Sequence, residues 1–297
     1  MSCGAWSVPR SKGKVNSSEE DLSAFLLLAK ALEPYLEHLV FVGGWAHRLY
    51  SRRPQARPLS FSPLTTEDAD IVLPSSLPSK LPPISDLLKT HGFQAEMLGT
   101  ESPPVTHYVL SRPESPSAFY AEFLAPLTGP EYSRSGGSRS TAKRAGVSLQ
   151  QLRNVGLLLV NPWTVHPLAN DQRCAVRIAN ATAFLAQKLL IHADSRVKNR
   201  CPREILYIHD TLLMFSDQLD LLLSEWPAIE AGLMPRQLRD MKEAHGAMFS
   251  HMTDDIRQAT EIAKGTTRPN PPSPAEILAV CQAGLARFPF AQHRAGG

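Results

Sequence analysis

Cysteine is scarce in this chain, with only Cys3, Cys174, Cys201 and Cys281 among 297 residues, no C-x-x-C pair and no histidine at ligand spacing beside them. That pattern argues against a structural zinc site. A chain of this length can bury a core without disulfide staples, so reduced thiols and a cytoplasmic location are expected. No uninterrupted apolar run approaches the roughly 20 residues that span a bilayer, so no membrane partner is expected. The first residues carry Arg10, Lys12 and Lys14 but no apolar stretch of the signal-peptide kind behind them, and 1–17 read as a flexible N-terminus. The ten histidines form no H-E-x-x-H or other metal spacing, and no Ser/His/Asp set has a nucleophile-elbow context. Excess charge is small too: +3 does not by itself imply a nucleic-acid partner. It tolerates one, because phosphate binding depends on where Lys and Arg cluster. No repeat of solenoid period is present.

What is present is an ordinary globular composition, 43% apolar and 20% charged, with a change of pattern two-thirds of the way along. A helix is expected from Ser18, where Glu19, Glu20 and Asp21 favour the first turn and Leu22, Phe25, Leu26 and Ala29 recur at helical spacing. The apolar stretch 38–42 reads as a strand running into Gly43-Gly44, and 45–52 as a helix directly after the glycines. Alternation predicts a strand over 68–73, and further strands are expected over 93–98, 106–111, 118–124, 155–160 and 175–178, with a helix at 84–90 between the first two. The Ser-, Gly- and Arg-rich segment 133–148 reads as a mobile loop. From a cap at Asn180 the pattern turns helical, with helices expected over 203–215, 217–226, 235–263 and 274–288. The resulting fold class is α+β: a mixed-sheet core over 18–179 and a C-terminal α-helical domain over 180–297.

The candidate chemistry lies in three short segments. Gly43-Gly44, between strand and helix, would let backbone N–H groups approach a phosphate, although Gly-Gly there is more often a plain turn. In T-T-E-D-A-D-I-V-L, residues two apart on a strand face the same way, so Asp68 and Asp70 point together while Ala69 and Ile71 take the other face. Two adjacent carboxylates repel unless a cation lies between them, and an oxygen-seeking ion such as Mg²⁺ would bridge them to a triphosphate. A solvated acidic edge is the plain alternative. In A-F-Y-A-E-F-L, Glu122 stands opposite an apolar face, as a general base toward an acceptor hydroxyl, a further metal ligand, or an acid on an exposed strand face.

Taken in order, Phe41-Val-Gly-Gly-Trp-Ala-His-Arg48, Thr66-Glu-Asp-Ala-Asp-Ile-Val72 and Ala121-Glu-Phe-Leu124 resemble the polymerase-β-like nucleotidyltransferase superfamily, most closely the bacterial group containing AbiE-type toxins. The segment from Val176 to Lys188 is similar to that group's strand-to-helix stretch carrying a motif lysine. Arg203-Glu204 and Asp210 lie where the family often has Lys-Asp and a later Asp. The resemblance implies a mixed-sheet nucleotidyltransferase core in which Gly43, Gly44 and Thr66 hold the triphosphate and Asp68 and Asp70 hold Mg²⁺. It further implies that Lys188 neutralises phosphate charge, with Asp210 either orienting Lys188, capping an ion pair, or acting directly. Glu122 would be the base, where the family more commonly has Asp. The implied substrate is an NTP and the implied acceptor a hydroxyl, on tRNA or other RNA, with an antitoxin protein as partner. Arg196, Lys198, Arg200 and Arg203, and separately Arg134, Arg139, Lys143 and Arg144, could extend a basic wall for RNA or be solvated surface. A scaffold that binds without catalysis, and a nucleotidyltransferase acting on a small molecule, remain as alternatives.

Overall fold

A computed structural model describes residues 17–64, 66–98, 105–111, 118–130, 140–168, 174–193, 202–266 and 268–292. The N-terminal segment 1–16 and the basic residues Arg134, Arg139, Arg196, Lys198 and Arg200 lie outside them.

Helix α1 (Ser17–Ala31) carries Glu19 and Glu20 in its first turn, where the helix dipole favours negative charge. Phe25 on this helix stacks on Trp45 with ring centroids 4.1 Å apart. That contact fixes α2 (Gly43–Leu49) against α1. Between them β1 (Val40–Phe41) is a buried two-residue strand, shorter than its apolar run suggested. It pairs antiparallel with β2 (Asp68–Val72), placing Phe41 opposite Ile71, and the Val42 N–H donates to the Asp70 carbonyl at 2.9 Å. The chain therefore reaches Gly43 directly beside the acidic end of β2.

The remaining strands are β3 (Phe93–Leu98), β4 (Val105–Leu110), β5 (Phe119–Pro126), β6 (Thr141–Arg144), β7 (Val147–Leu152), β8 (Trp163–Val165) and β9 (Val176–Ile178), with α3 (Ile84–Thr90) after β2. Among the described residues one mixed sheet holds all nine strands, in the order β3-β4-β5-β2-β1-β9-β8, with β7 joining β5 and β6 joining β7. β2 runs parallel to β5, and β1 parallel to β9. Ala69 and Ile71 face the core while Asp68 and Asp70 are half-buried on the opposite face, the alternation expected of a one-sided strand. Among the described residues no helix is long and apolar enough to cross a membrane.

Three expectations are corrected. The run 155–160 is a 3-10 helix, Val155–Leu159, not a strand. It starts from Asn154 at φ 63° and is tied to α4 by Asn180, whose side-chain amide donates to the Val160 carbonyl at 2.7 Å. A short apolar run has no period of its own, and packing decides. The end of the segment expected to be mobile is instead a β-hairpin, β6 with β7, closed by Ala145 and Gly146 at φ 48° and 82°, the twist a two-residue turn needs. The helix expected over 235–263 is two, α7 (Pro235–Phe249) and α8 (Asp254–Lys264). Thr253 caps the second by accepting from the Ile256 N–H at 3.3 Å. Strand β8 was not anticipated.

After β9 the chain is helical: α4 (Ala181–Ala193), α5 (Pro202–Met214), α6 (Leu219–Ala231), α7, α8 and α9 (Pro274–Leu285). Asn180 caps α4 as expected, its side-chain oxygen accepting from the Ala183 N–H at 2.7 Å. The buried side chains of α4 and α5 join those of the sheet in one hydrophobic cluster. This packing brings α4 and α5 to the face of the sheet that carries the acids.

Candidate functional site

Gly43 adopts φ +61°, and a Cβ built there would stand 2.3 Å from Asp70 Oδ2. A Cβ on Gly44 would stand 2.4 Å from Thr66 Cγ2 and 3.1 Å from the Tyr207 hydroxyl oxygen. The glycine pair, Thr66, Asp70 and α5 thus close on one another with no room for a single methyl group. Gly43→Ala is expected to cost about 1–2 kcal/mol from left-handed backbone alone and to displace the Asp70 carboxylate as well. Thermal denaturation should register the loss, and a variant as stable as the parent would show that the turn relaxes.

The parallel register of β2 and β5 sets Asp70 beside Glu122 and Asp68 beside Tyr120. This crowding raises the Asp70 carboxyl to about 8, first through burial and then through the negative charges of Asp68, Glu122 and Glu204, with Lys188 opposing. The Tyr120 phenol is raised by burial and then by Asp68, Asp70, Glu122 and Glu67. Glu122 lies 3.9 Å from His107 Nε2, and the His107 ring stacks on Tyr120 with centroids 4.2 Å apart. A small cavity lined by Thr106, Thr141, Ser148 and Gln150 opens beside Glu122.

Among the described residues no three His, Cys, Asp or Glu side chains form a ready cation cage. A two-carboxylate set of hard oxygens still suits Mg²⁺, which is commonly held by one or two carboxylates, substrate phosphates and water. A cation would also relieve the repulsion recorded in the raised Asp70 carboxyl.

The helical side supplies the positive charge. Lys188 on α4 is 8% exposed at its side chain, and its Nζ lies 2.5 Å from Glu204 Oε2 on α5. The ammonium also sits 5.0 Å from the Phe184 ring and 5.1 Å from the Tyr207 ring, and the Arg203 guanidinium lies 5.7 Å from that second ring. Burial raises the Tyr207 phenol while Arg203 lowers it.

Asp210 stands elsewhere on α5. It is fully buried, accepts from Arg268 Nη1 at 3.0 Å, is ion-paired with Arg268 Nη2, and meets His209 Nδ1 at 2.9 Å. Burial alone would raise its pKa, but the hydrogen bonds from His209 and Arg268 outweigh that and hold the carboxyl low. The partner of Lys188 is therefore Glu204, while Asp210 serves an interior ion pair. Of the basic loop residues, Arg144 donates to the Pro74 carbonyl, joining β6 to the end of β2.

Sequence reasoning did not single out Tyr207, His47 or the role of Glu204. His47 is fully buried against Tyr207, ring centroids 4.9 Å apart, and neither ring nitrogen has a hydrogen-bond partner among the described residues. Burial is the chief cause of its pKa falling to about 4, only partly offset by Asp210. The available signal was spacing: Arg203 and Tyr207 are four apart on α5, as are Phe184 and Lys188 on α4.

A family model described as "Nucleotidyltransferase" matches residues 22–226, a span that includes every residue of this cluster except Arg268. Among solved structures, JHP933 from Helicobacter pylori is similar over 90% of this chain and 92% of its own, at 12% identity and a TM-score of 0.44. An antigenic nucleotidyltransferase-like protein from Paracoccidioides brasiliensis is similar over 82% of this chain and 93% of its own, at 19% identity and a TM-score of 0.44. A comparison with curated proteins gives no match.

Proposed function

The chain belongs to this nucleotidyltransferase family, and from that premise we propose that it transfers a nucleoside monophosphate from a Mg²⁺-bound NTP to an RNA hydroxyl. The observation that carries this reading is the contact of Gly43 with Asp70, because it joins a turn able to admit a polyphosphate to the acid pair able to hold its metal. A tRNA acceptor, a cytoplasmic location and an AbiE-type setting with an antitoxin partner belong to the same reading.

Asp68 and Asp70 would hold Mg²⁺, which supplies neutralisation of charge on the phosphoryl oxygens. Gly43 and Gly44, having no side chains, let the turn lie directly against Thr66 and Asp70, so that its backbone N–H groups would meet the phosphates beside the acid pair. Lys188 offers its ammonium from the helical side. Glu122, one strand from Asp70 and beside the hydroxyl-lined cavity, accepts the proton of the attacking hydroxyl. The acceptor oxygen bonds to the α-phosphorus, the bond to the β-phosphate breaks, and pyrophosphate leaves with the electron pair.

The test incubates the protein with each α-labelled NTP, Mg²⁺ and total cellular RNA, then separates RNA, protein and small molecules. Label in RNA that disappears on chelation of Mg²⁺ is the expected result. Label confined to small molecules would overturn the RNA acceptor, and no label in any fraction would overturn the transfer itself.

A further inference from the structure

We propose that Glu204 is the residue that makes nucleotide binding strictly dependent on metal, by occupying Lys188 until a chelated polyphosphate displaces it. The inference rests on the nucleotidyltransferase reading above and concerns how that same site selects its ligand.

Asp70 stands beside Glu122 in the register of β2 and β5 with Asp68 on the same face, and the glycine turn that meets Asp70 also meets Tyr207, whose ring lies 5.1 Å from the Lys188 ammonium. Lys188 is not available as a spare positive charge, because its Nζ is 2.5 Å from Glu204 Oε2 and almost wholly shielded from water. A metal-free triphosphate approaching Gly43 would meet a strongly negative face with its natural counter-ion already neutralised. Repulsion at short range and low effective dielectric would then keep it out.

A metal on Asp68 and Asp70 changes the balance. The chelated polyphosphate is drawn to the pair of acids, and its oxygens can compete for the Lys188 ammonium. Glu204 is the partner with a route out, since its side chain is 21% exposed although the paired Oε2 is buried, whereas the Lys188 ammonium sits 5.0 and 5.1 Å from the Phe184 and Tyr207 rings. Burial is thus asymmetric across the ion pair: the cation is fixed and the anion is the part able to move. That asymmetry is what a displaceable counter-ion requires.

Calorimetric titration of ATP, GTP, CTP and UTP, with Mg²⁺ and separately with chelator, tests the idea on the full chain. The parent protein is expected to bind its NTP only with Mg²⁺. With chelator present, Glu204→Gln should bind the same NTP with a Kd roughly 10- to 100-fold below the limit at which the parent shows no heat, the gain expected from one liberated charge-assisted hydrogen bond. Glu204→Ala should behave alike, which covers a failure of the first variant to fold. Lys188→Met combined with Glu204→Gln should lose the gain. Metal-dependent binding by the parent with no metal-free gain in either Glu204 variant overturns this proposal and leaves the nucleotidyltransferase reading standing. A folded parent that binds no NTP even with Mg²⁺ overturns both.

Discussion

Asp70→Asn is expected to reduce transfer by about 10²- to 10³-fold, the order seen when one preorganised electrostatic partner of a transition state is removed, while leaving the fold at least as stable. The two effects separate because the carboxylate is costly in the metal-free chain. Its proton is held to about 8 in the fold against an ordinary 3.8, chiefly by burial and then by Asp68, Glu122 and Glu204. Between those values the unfolded chain binds fewer protons than the folded one, so stability falls as pH rises from about 4 to 8. An amide at this position has no charge to desolvate, and the variant should lack that slope.

The same sign governs the metal. Mg²⁺ must displace the Asp70 proton, so its affinity should climb by up to about tenfold per pH unit below 8 and level off above. Melting curves from pH 6 to 9, with and without Mg²⁺, read both trends at once. The metal-induced rise in Tm should grow with pH in the parent and vanish in Asp70→Asn. A variant that keeps full transfer, or one that melts well below the parent at pH 8 without metal, would contradict the assignment of Asp70.

Arg268→Met should be the most damaging change to the fold away from the site, costing about 3–5 kcal/mol because it leaves a buried carboxylate without its counter-ion. At roughly 2–4 °C per kcal/mol for chains of this size class, Tm should fall by about 6–20 °C. Asp210 keeps its contact with His209 in that variant, and the Phe61 ring, 4.1 Å from the Arg268 guanidinium carbon, loses its cap. Removing both charges together in Asp210→Leu/Arg268→Met should recover much of the loss, since apolar pairs of similar volume often replace buried ion pairs at little net cost.

The pH sign is opposite to that of Asp70. The folded pKa of Asp210 is depressed, so the ion pair contributes fully above the ordinary carboxylate range and its contribution fades as pH falls through the folded value. The gap in Tm between the parent and Arg268→Met should therefore narrow in acid. Transfer by the double variant, measured per folded molecule, also separates two roles for Asp210. Retained activity fits an interior strut, and lost activity on a recovered fold would put Asp210 in nucleotide binding.

The common face of Asp68 and Asp70 follows from the two-residue period of a strand, a local property that sequence displays directly. The glycine turn and the Asn180 cap are local in the same way, and the family relation was legible because its motifs are short and contiguous. Local signals failed where only packing decides: the apolar run after Asn154 had no period to separate a strand from a 3-10 helix, and β8 is too short to show alternation. The site depended more strongly still on long-range structure. Asp70 lies beside Glu122 through the register of two parallel strands, which neither strand encodes alone. On α5, Glu204 and Asp210 are acids of equal plausibility as partners for Lys188, and the docking of α4 gives it Glu204. Asp210 instead meets an arginine 58 residues further on. Sequence alone determined which residues could carry the chemistry, because strand and helix periods orient neighbours. Which charges meet across the fold, and so which are spent on stability and which remain for a ligand, was decided by tertiary packing, because Coulomb energy depends on separation in space and burial rather than on distance along the chain.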